Sequence, residues 1–73
     1  MNHSYYVVQV EFLYKWHDVP GSKFHFDPTD PEEQKQGLAT TKKHYLSAQK
    51  RAKAYRHRIL FVSVIEQTSA ADS

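Results

Sequence analysis

Apolar and polar residues alternate from Tyr5 to Trp16, and this alternation opens the chain. The even-numbered positions, beginning with Tyr6 and Val8, are all apolar, whereas the odd-numbered positions are mixed. A period of two built from β-branched and aromatic residues predicts a strand. We expect its even-numbered face to pack against a helix.

A turn signal follows this strand. Pro20 and Gly21 are the preferred central pair of a type II turn, because proline presets φ and glycine accepts a positive φ. The chain then returns through a short second strand from Ser22 to Phe26, with Phe24 and Phe26 on one face. The pattern therefore predicts a hairpin centred on the Pro-Gly pair.

The stretch from Thr40 to Arg58 has the composition of a helix. It is rich in Ala, Leu, Lys, Gln and Arg, and it contains neither Gly nor Pro. Apolar or small residues recur at spacings of three and four, which predicts an amphipathic helix. The predicted buried stripe consists of Thr41, Tyr45, Ala48, Ala52 and Tyr55.

A helix start is visible before this stretch. Asp30 is a good N-cap, and Pro31 suits the first helical position. Gly37 leaves two interpretations open, a short helix 31–36 followed by the long one or a single helix 31–56. We favour a break near Gly37, because a helix of that length is unusual in so small a domain.

The second strong strand runs from Arg58 to Gln67. Apolar residues occupy both of its faces, with Leu60, Val62 and Val64 on one side and Ile59, Phe61 and Ile65 on the other. A strand of this kind is normally covered on both faces.

Together these elements predict an α+β fold with a small antiparallel sheet of about three strands, in the order β-β-α-β. The last strand pairs with the first, and one basic amphipathic helix covers one face. We expect a single domain over residues 1–67 and a disordered tail over 68–73. The uncovered face would expose Tyr5, Val7 and Leu13 beside one side of the last strand, which marks a partner or dimer surface.

Length and composition limit the class of protein and the compartment that we expect. A chain of 73 residues forms one domain and buries little surface, so its stability margin should be small. The absence of Cys excludes disulfides and thiolate metal sites. No apolar run approaches the about 20 residues of a membrane span, and the N-terminal segment lacks the features of a signal peptide. We expect a cytoplasmic protein without a membrane partner.

Charge is unevenly distributed, although the net charge is only +2. Residues 40–58 carry seven Lys and Arg and no acid. The cations with the strongest case for electrostatic partner binding are Lys43, Lys50, Arg51, Lys53 and Arg58. They could contact nucleic-acid phosphates or an acidic protein surface, or they could form a solvated face that keeps the protein soluble.

The chemistry of a catalytic or metal site is not evident. His25 and Asp27 lie close in sequence, but a solvated loop with capping aspartates explains them better than a metal site. There is no nucleophile elbow and no glycine-rich phosphate loop. We expect no enzyme activity, no cofactor and no bound metal.

In size and layout the predicted architecture resembles small phage and mobile-element proteins that disable host machinery. The resemblance implies an inhibitor-like or adaptor-like role. We therefore expect a non-enzymatic regulatory protein that binds another protein or a second copy of itself as a homodimer. The alternative is a nucleic-acid-binding regulator that contacts phosphates through the basic helix 40–58.

Overall fold

A computed structural model describes residues 2–65. Its elements in chain order are β1 (Asn2–Phe12), β2 (Lys15–Asp18), β3 (Phe24–Phe26), α1 (Pro31–Arg51) and β4 (His57–Ile65). The predicted tail 68–73, and the last two residues of the predicted domain, lie outside the described residues. None of the described helices is long and apolar enough to cross a membrane.

The four strands form one antiparallel sheet with β1 at its centre. Residues 2–10 of β1 pair with β4. The opposite edge of β1 pairs with β2 through residues 9–12 and with β3 through residues 4–6. The helix α1 packs on one face and contacts β1, β3 and β4. The predicted α+β class, the antiparallel pairing of the last strand with the first and the single covering helix are confirmed.

The hairpin turn lies at Leu13 and Tyr14 and not at the Pro-Gly pair. Phe12 pairs with Lys15, so only two residues connect β1 to β2. The prediction of one strand through to Trp16 is wrong. The turn reverses the alternation, so that Trp16 lies opposite Glu11 and not on the even-numbered face. The sequence pattern did not reveal the turn, because its two residues are apolar and neither is a typical turn residue.

Pro20 and Gly21 occupy a loop between β2 and β3, which lie on the same edge of β1. Gly21 adopts φ of 75°, as a turn glycine does. The hydroxyl oxygen of Ser22 accepts a hydrogen bond from the Val8 backbone N–H at 3.1 Å and lies 2.7 Å from the Val19 carbonyl oxygen, to which it can donate. In the gap between β2 and β3, the Ser22 hydroxyl thus accepts the hydrogen bond that a strand backbone would otherwise accept from β1.

The helix α1 is continuous through Gly37, so the favoured interpretation of a break there is wrong. A Cβ built at Gly37 would lie 2.8 Å from the Phe24 ring, so glycine lets the helix pack closely on β3. The predicted start is confirmed, because the Asp30 carboxylate accepts hydrogen bonds from the N–H groups of Glu32 and Glu33.

The helix ends at Arg51, seven residues before the predicted end at Arg58. Thr41 and Ala48 of the predicted stripe are buried, whereas Tyr55 lies beyond the helix and is exposed. The Glu11 N–H donates to the Arg56 carbonyl at 2.8 Å, so the ladder between β1 and β4 already begins there. The chain must leave the helix early to reach this pairing.

The hydrophobic core is small. Among the described residues, the buried apolar side chains are those of Tyr6, Val7, Val8, Phe26 and Ala48. The rings of Tyr6 and Phe26 stack with centroids 5.0 Å apart under the helix. So small a core agrees with the expectation of a narrow stability margin.

Candidate partner-binding surface

The strand register divides the sheet into a helix-covered face and an open face. Tyr6 pairs with Phe61 and lies on the helix-covered face, while Tyr5 pairs with Val62 on the open face. Of the two apolar sides predicted for the last strand, the one on the open face is therefore that of Leu60, Val62 and Val64.

Val7 is buried, although the partner surface predicted for it requires an exposed side chain. Its side chain is on the open face but only 1% exposed. The loop between β2 and β3 covers this position, and Val19 and Pro20 line the small cavity that Val7 shares. The loop that separates β2 from β3 thus covers Val7 on the open face, which the sequence pattern did not predict.

Tyr5 remains half-buried on the open face. The His25 ring lies 5.1 Å away between centroids, and the Lys23 ammonium group lies 4.9 Å from the tyrosine ring centroid. The open face around Tyr5 is therefore mixed in polarity. It is less apolar than a continuous hydrophobic interface requires.

Leu13 is exposed, as predicted, but at the hairpin turn and not on the sheet face. Leu13 is 73% exposed and Tyr14 is 99% exposed. Their φ angles are 53° and 65°, a region in which bulky L-residues are rare. A conformation of this kind costs on the order of 1–3 kcal/mol per residue and is often retained for function. The turn holds two large apolar side chains in water at a conformational cost.

Three further apolar side chains extend this exposed turn. Phe12, Leu46 and Tyr55 are each about half exposed. The Phe12 and Tyr55 rings meet edge to face with centroids 5.6 Å apart. Tyr55 lines a groove of about 350 Å³ with Leu46 and a second groove of about 350 Å³ with the hairpin turn. We name these five residues, Phe12, Leu13, Tyr14, Leu46 and Tyr55, the tip surface.

Cations border the tip surface. Lys50 and Lys53 line the groove beside Leu46, and Arg56 lines the groove beside the turn. Arg56 also lies 3.5 Å from the Glu11 carboxylate. The predicted binding residues Lys50 and Lys53 are thus brought to one site, although Lys53 follows the helix and does not belong to it.

The remaining predicted cations occupy different positions. Lys43 and Arg51 are exposed on α1. Arg58 is in β4, with its guanidinium 4.1 Å from the Trp16 ring centroid and its Nε donating to Gln9 at 2.8 Å. Its grouping with the helical cations is wrong, because the chain has entered β4 by that point. Arg58 is already held by neighbours within the chain.

Acids collect at the other end of the helix. Asp30 caps its N-terminus, Glu32 and Glu33 occupy the first turn, and Lys50 and Arg51 occupy the last. This arrangement complements the helix dipole, so part of the charge segregation has a structural cause. The resulting molecule has an acidic end and a basic end, and the tip surface lies at the basic end.

The carboxylate of Asp27 is held by hydrogen bonds in the turn that precedes the helix. The Thr29 backbone N–H and hydroxyl donate to the Asp27 carboxylate, which lowers the pKa of Asp27 below its ordinary value. That bonding belongs to the turn before the helix. Within residues 2–65, no three His, Asp or Glu side chains lie close enough together to hold a metal ion.

Comparison with known proteins identifies no relative. No protein-family model matches the chain, and no curated protein and no solved structure matches it.

Sequence reasoning missed most of the tip surface. The alternation predicts core-facing positions for Phe12 and Tyr14, and the helical stripe predicts one for Tyr55, whereas neither pattern assigns a position to Leu46. Leu46 was the available signal, since an apolar residue on the outer face of a basic helix has no core to enter. No pattern revealed the other three, because their exposure follows from where the turn falls and where the helix ends.

Proposed function

We propose that this chain is a small non-enzymatic binding protein of the inhibitor or adaptor type. Its partner is a protein whose binding site combines an apolar cleft with acidic residues. The observation that carries the proposal is the hairpin turn, in which Leu13 is largely exposed and Tyr14 almost fully exposed in an unfavourable backbone conformation. A cost of this kind persists where the exposed side chains contribute elsewhere.

The tip surface has the composition of a binding centre. Aromatic residues and Leu dominate it, and cations surround it, which resembles the apolar core and polar rim of protein interfaces. Lys50, Lys53 and Arg56 would steer an acidic partner towards the apolar centre. Leu13 and Tyr14 would supply most of the binding energy once desolvated.

Nucleic acid remains the alternative partner. It would use the cations of α1 for phosphate contacts, and it would leave the apolar side chains of the tip surface with no assigned role. Phosphate binding should weaken steeply as salt rises. Binding through an apolar centre should persist at moderate salt, because only the steering contribution is screened.

A random displayed-peptide library, selected on the immobilised protein, tests the proposal without knowledge of the natural partner. We expect enrichment of peptides that combine Asp or Glu with Leu, Phe or Trp. These peptides should bind the double variant Leu13→Ala, Tyr14→Ala at least about 30-fold more weakly, as expected for loss of a binding hot spot. Enrichment of peptides without acids, or equal binding to the variant, would contradict the proposal.

Two further experiments distinguish an effect of charge at the tip surface from an effect of the overall charge of the protein. Lys50→Glu should weaken peptide binding, whereas Lys35→Glu, the same change near the acidic end of α1, should not. Labelled duplex and single-stranded DNA should bind weakly at moderate salt. Tight DNA binding that both lysine variants weaken equally would favour the nucleic-acid alternative.

A further inference from the structure

The outer edge of β4 offers a second surface, independent of the tip surface. Within residues 2–65, β4 pairs only with β1. The hydrogen bond from Glu11 to Arg56 shows which pairs exchange backbone bonds, and every second pair along the ladder does so. Residues 58, 60, 62 and 64 therefore bond to β1. The backbone groups of residues 57, 59, 61 and 63 point away from the sheet.

The central part of this edge, residues 59–64, has none of the usual protective features. Natural edge strands carry Lys, Pro or bulges that prevent pairing with another chain. Residues 59–64 contain no charge and no Pro, and their apolar side chains occupy both faces. Phe61, at the centre of the strand, is 50% exposed beside Tyr6 and Phe26. An apolar edge of this length requires a cover to remain free of aggregation.

We propose that β4 pairs antiparallel with β4 of a second copy, about a two-fold axis at Phe61. In this register Phe61 lies opposite Phe61 of the second copy, and Ile59 lies opposite Ser63. All of these positions carry outward-pointing backbone groups, so each pair exchanges two hydrogen bonds. The two sheets join into one, and the exposed Phe61 rings cover each other.

Charge favours a second copy over an unrelated strand. Antiparallel pairing sets the basic end of one copy beside the acidic end of the other. The strand β4 begins at the basic end and finishes at the end of the sheet where β3 leads into α1, since Ser4 pairs with both Ser63 and Phe26. Arg58, the single Lys or Arg of β4, lies opposite Val64 and meets no like charge. The dimer carries its two tip surfaces at opposite ends, so the proposed function is unaffected by its formation.

Two measurements test the dimer, the mass of the particle in solution and the hydrogen exchange of its backbone amides. Light scattering across a dilution series should give twice the chain mass at high concentration. The amides of Ile59, Phe61 and Ser63 should gain exchange protection with concentration, while those of Leu60 and Val62 should be protected throughout. A monomer mass at every concentration, or protection of the first three amides in a monomer, would overturn the proposal.

Ser63→Pro removes an outward-pointing N–H without touching the pairing with β1, and proline is tolerated at such edge positions. It should yield a folded monomer, whereas the matched control Ser63→Ala should remain a dimer. A dimeric Ser63→Pro protein would contradict the edge pairing. Should that variant fail to fold, Phe61→Lys provides the second test, since a central lysine blocks an edge, and it should also be monomeric.

Discussion

Replacing the hairpin turn Leu13-Tyr14 by Asn-Gly should stabilise the protein. Both residues have positive φ, and Asn-Gly is the pair that such two-residue turns favour. Relief of conformational cost at two positions is worth about 2 kcal/mol at the low end of the range. The added glycine costs about 0.5–1 kcal/mol through the greater freedom of the unfolded chain.

We expect little change in the other contributions to the free energy of unfolding. Leu13 is 73% exposed and Tyr14 is 99% exposed, so their removal uncovers almost no core. The expected net gain is about 1 kcal/mol, which corresponds to a rise in Tm of about 4–8 °C for a domain of this size. Thermal unfolding followed by circular dichroism, with urea unfolding as a second measurement, determines the change.

The matched control is the double variant Leu13→Ala, Tyr14→Ala. It removes the same side chains, but alanine is also unfavourable at positive φ. The Tm of this variant should therefore stay close to that of the unchanged chain. Both variants should lose peptide binding. An Asn-Gly variant that melts at or below the temperature of the unchanged chain would refute the reasoning, since the turn would then carry no conformational cost at these residues.

Three other predictions concern the fold. Ser22→Ala leaves a buried strand N–H without its acceptor and should cost about 1–3 kcal/mol in urea unfolding; Ser4→Ala, at a buried hydroxyl with no hydrogen-bond partner among the described residues, should cost nothing. Gly37→Ala should lower stability despite the higher helix propensity of alanine, because its Cβ would meet a phenylalanine ring at 2.8 Å, and a gain of about 1 kcal/mol would contradict this packing. Thr29→Val should raise the pKa of Asp27 part of the way to its ordinary value in an NMR titration, since the hydroxyl donor is lost while the backbone donor remains. The depressed pKa of Asp27 in the folded chain contributes stability above its ordinary pKa, and that contribution is lost as pH falls through the folded value; an unchanged pKa in the variant would show that the hydroxyl is irrelevant.

Local patterns were sufficient for the class of the fold. The alternation in β1, the cap at Asp30 and the doubly apolar β4 each agreed with the structure, because each depends on neighbours in sequence. The positions of the turn and of the helix end did not follow from local pattern. The helix end depends on the pairing of Glu11 with Arg56, and the continuity of the helix depends on its close packing on β3 at Gly37; both are contacts between distant parts of the chain.

The same distinction explains the candidate site. The basic character of residues 40–58 was visible in the sequence, but its division among α1, the following loop and β4 was not. Val7 was expected to be exposed on a bare sheet face, and the loop around Pro20 covers it. Exposure is a property of tertiary packing, so the residues of the tip surface other than Leu13 emerged only when that packing was known.

The central claim is that the tip surface binds an acidic partner. The most direct measurement is the backbone amide footprint, by NMR, of a peptide enriched in the library selection. We expect saturable shifts at Leu13, Tyr14, Lys50 and Tyr55, with the amides of the open face around Trp16 unchanged. A footprint on the open face or along β4, with the tip unaffected, would contradict it.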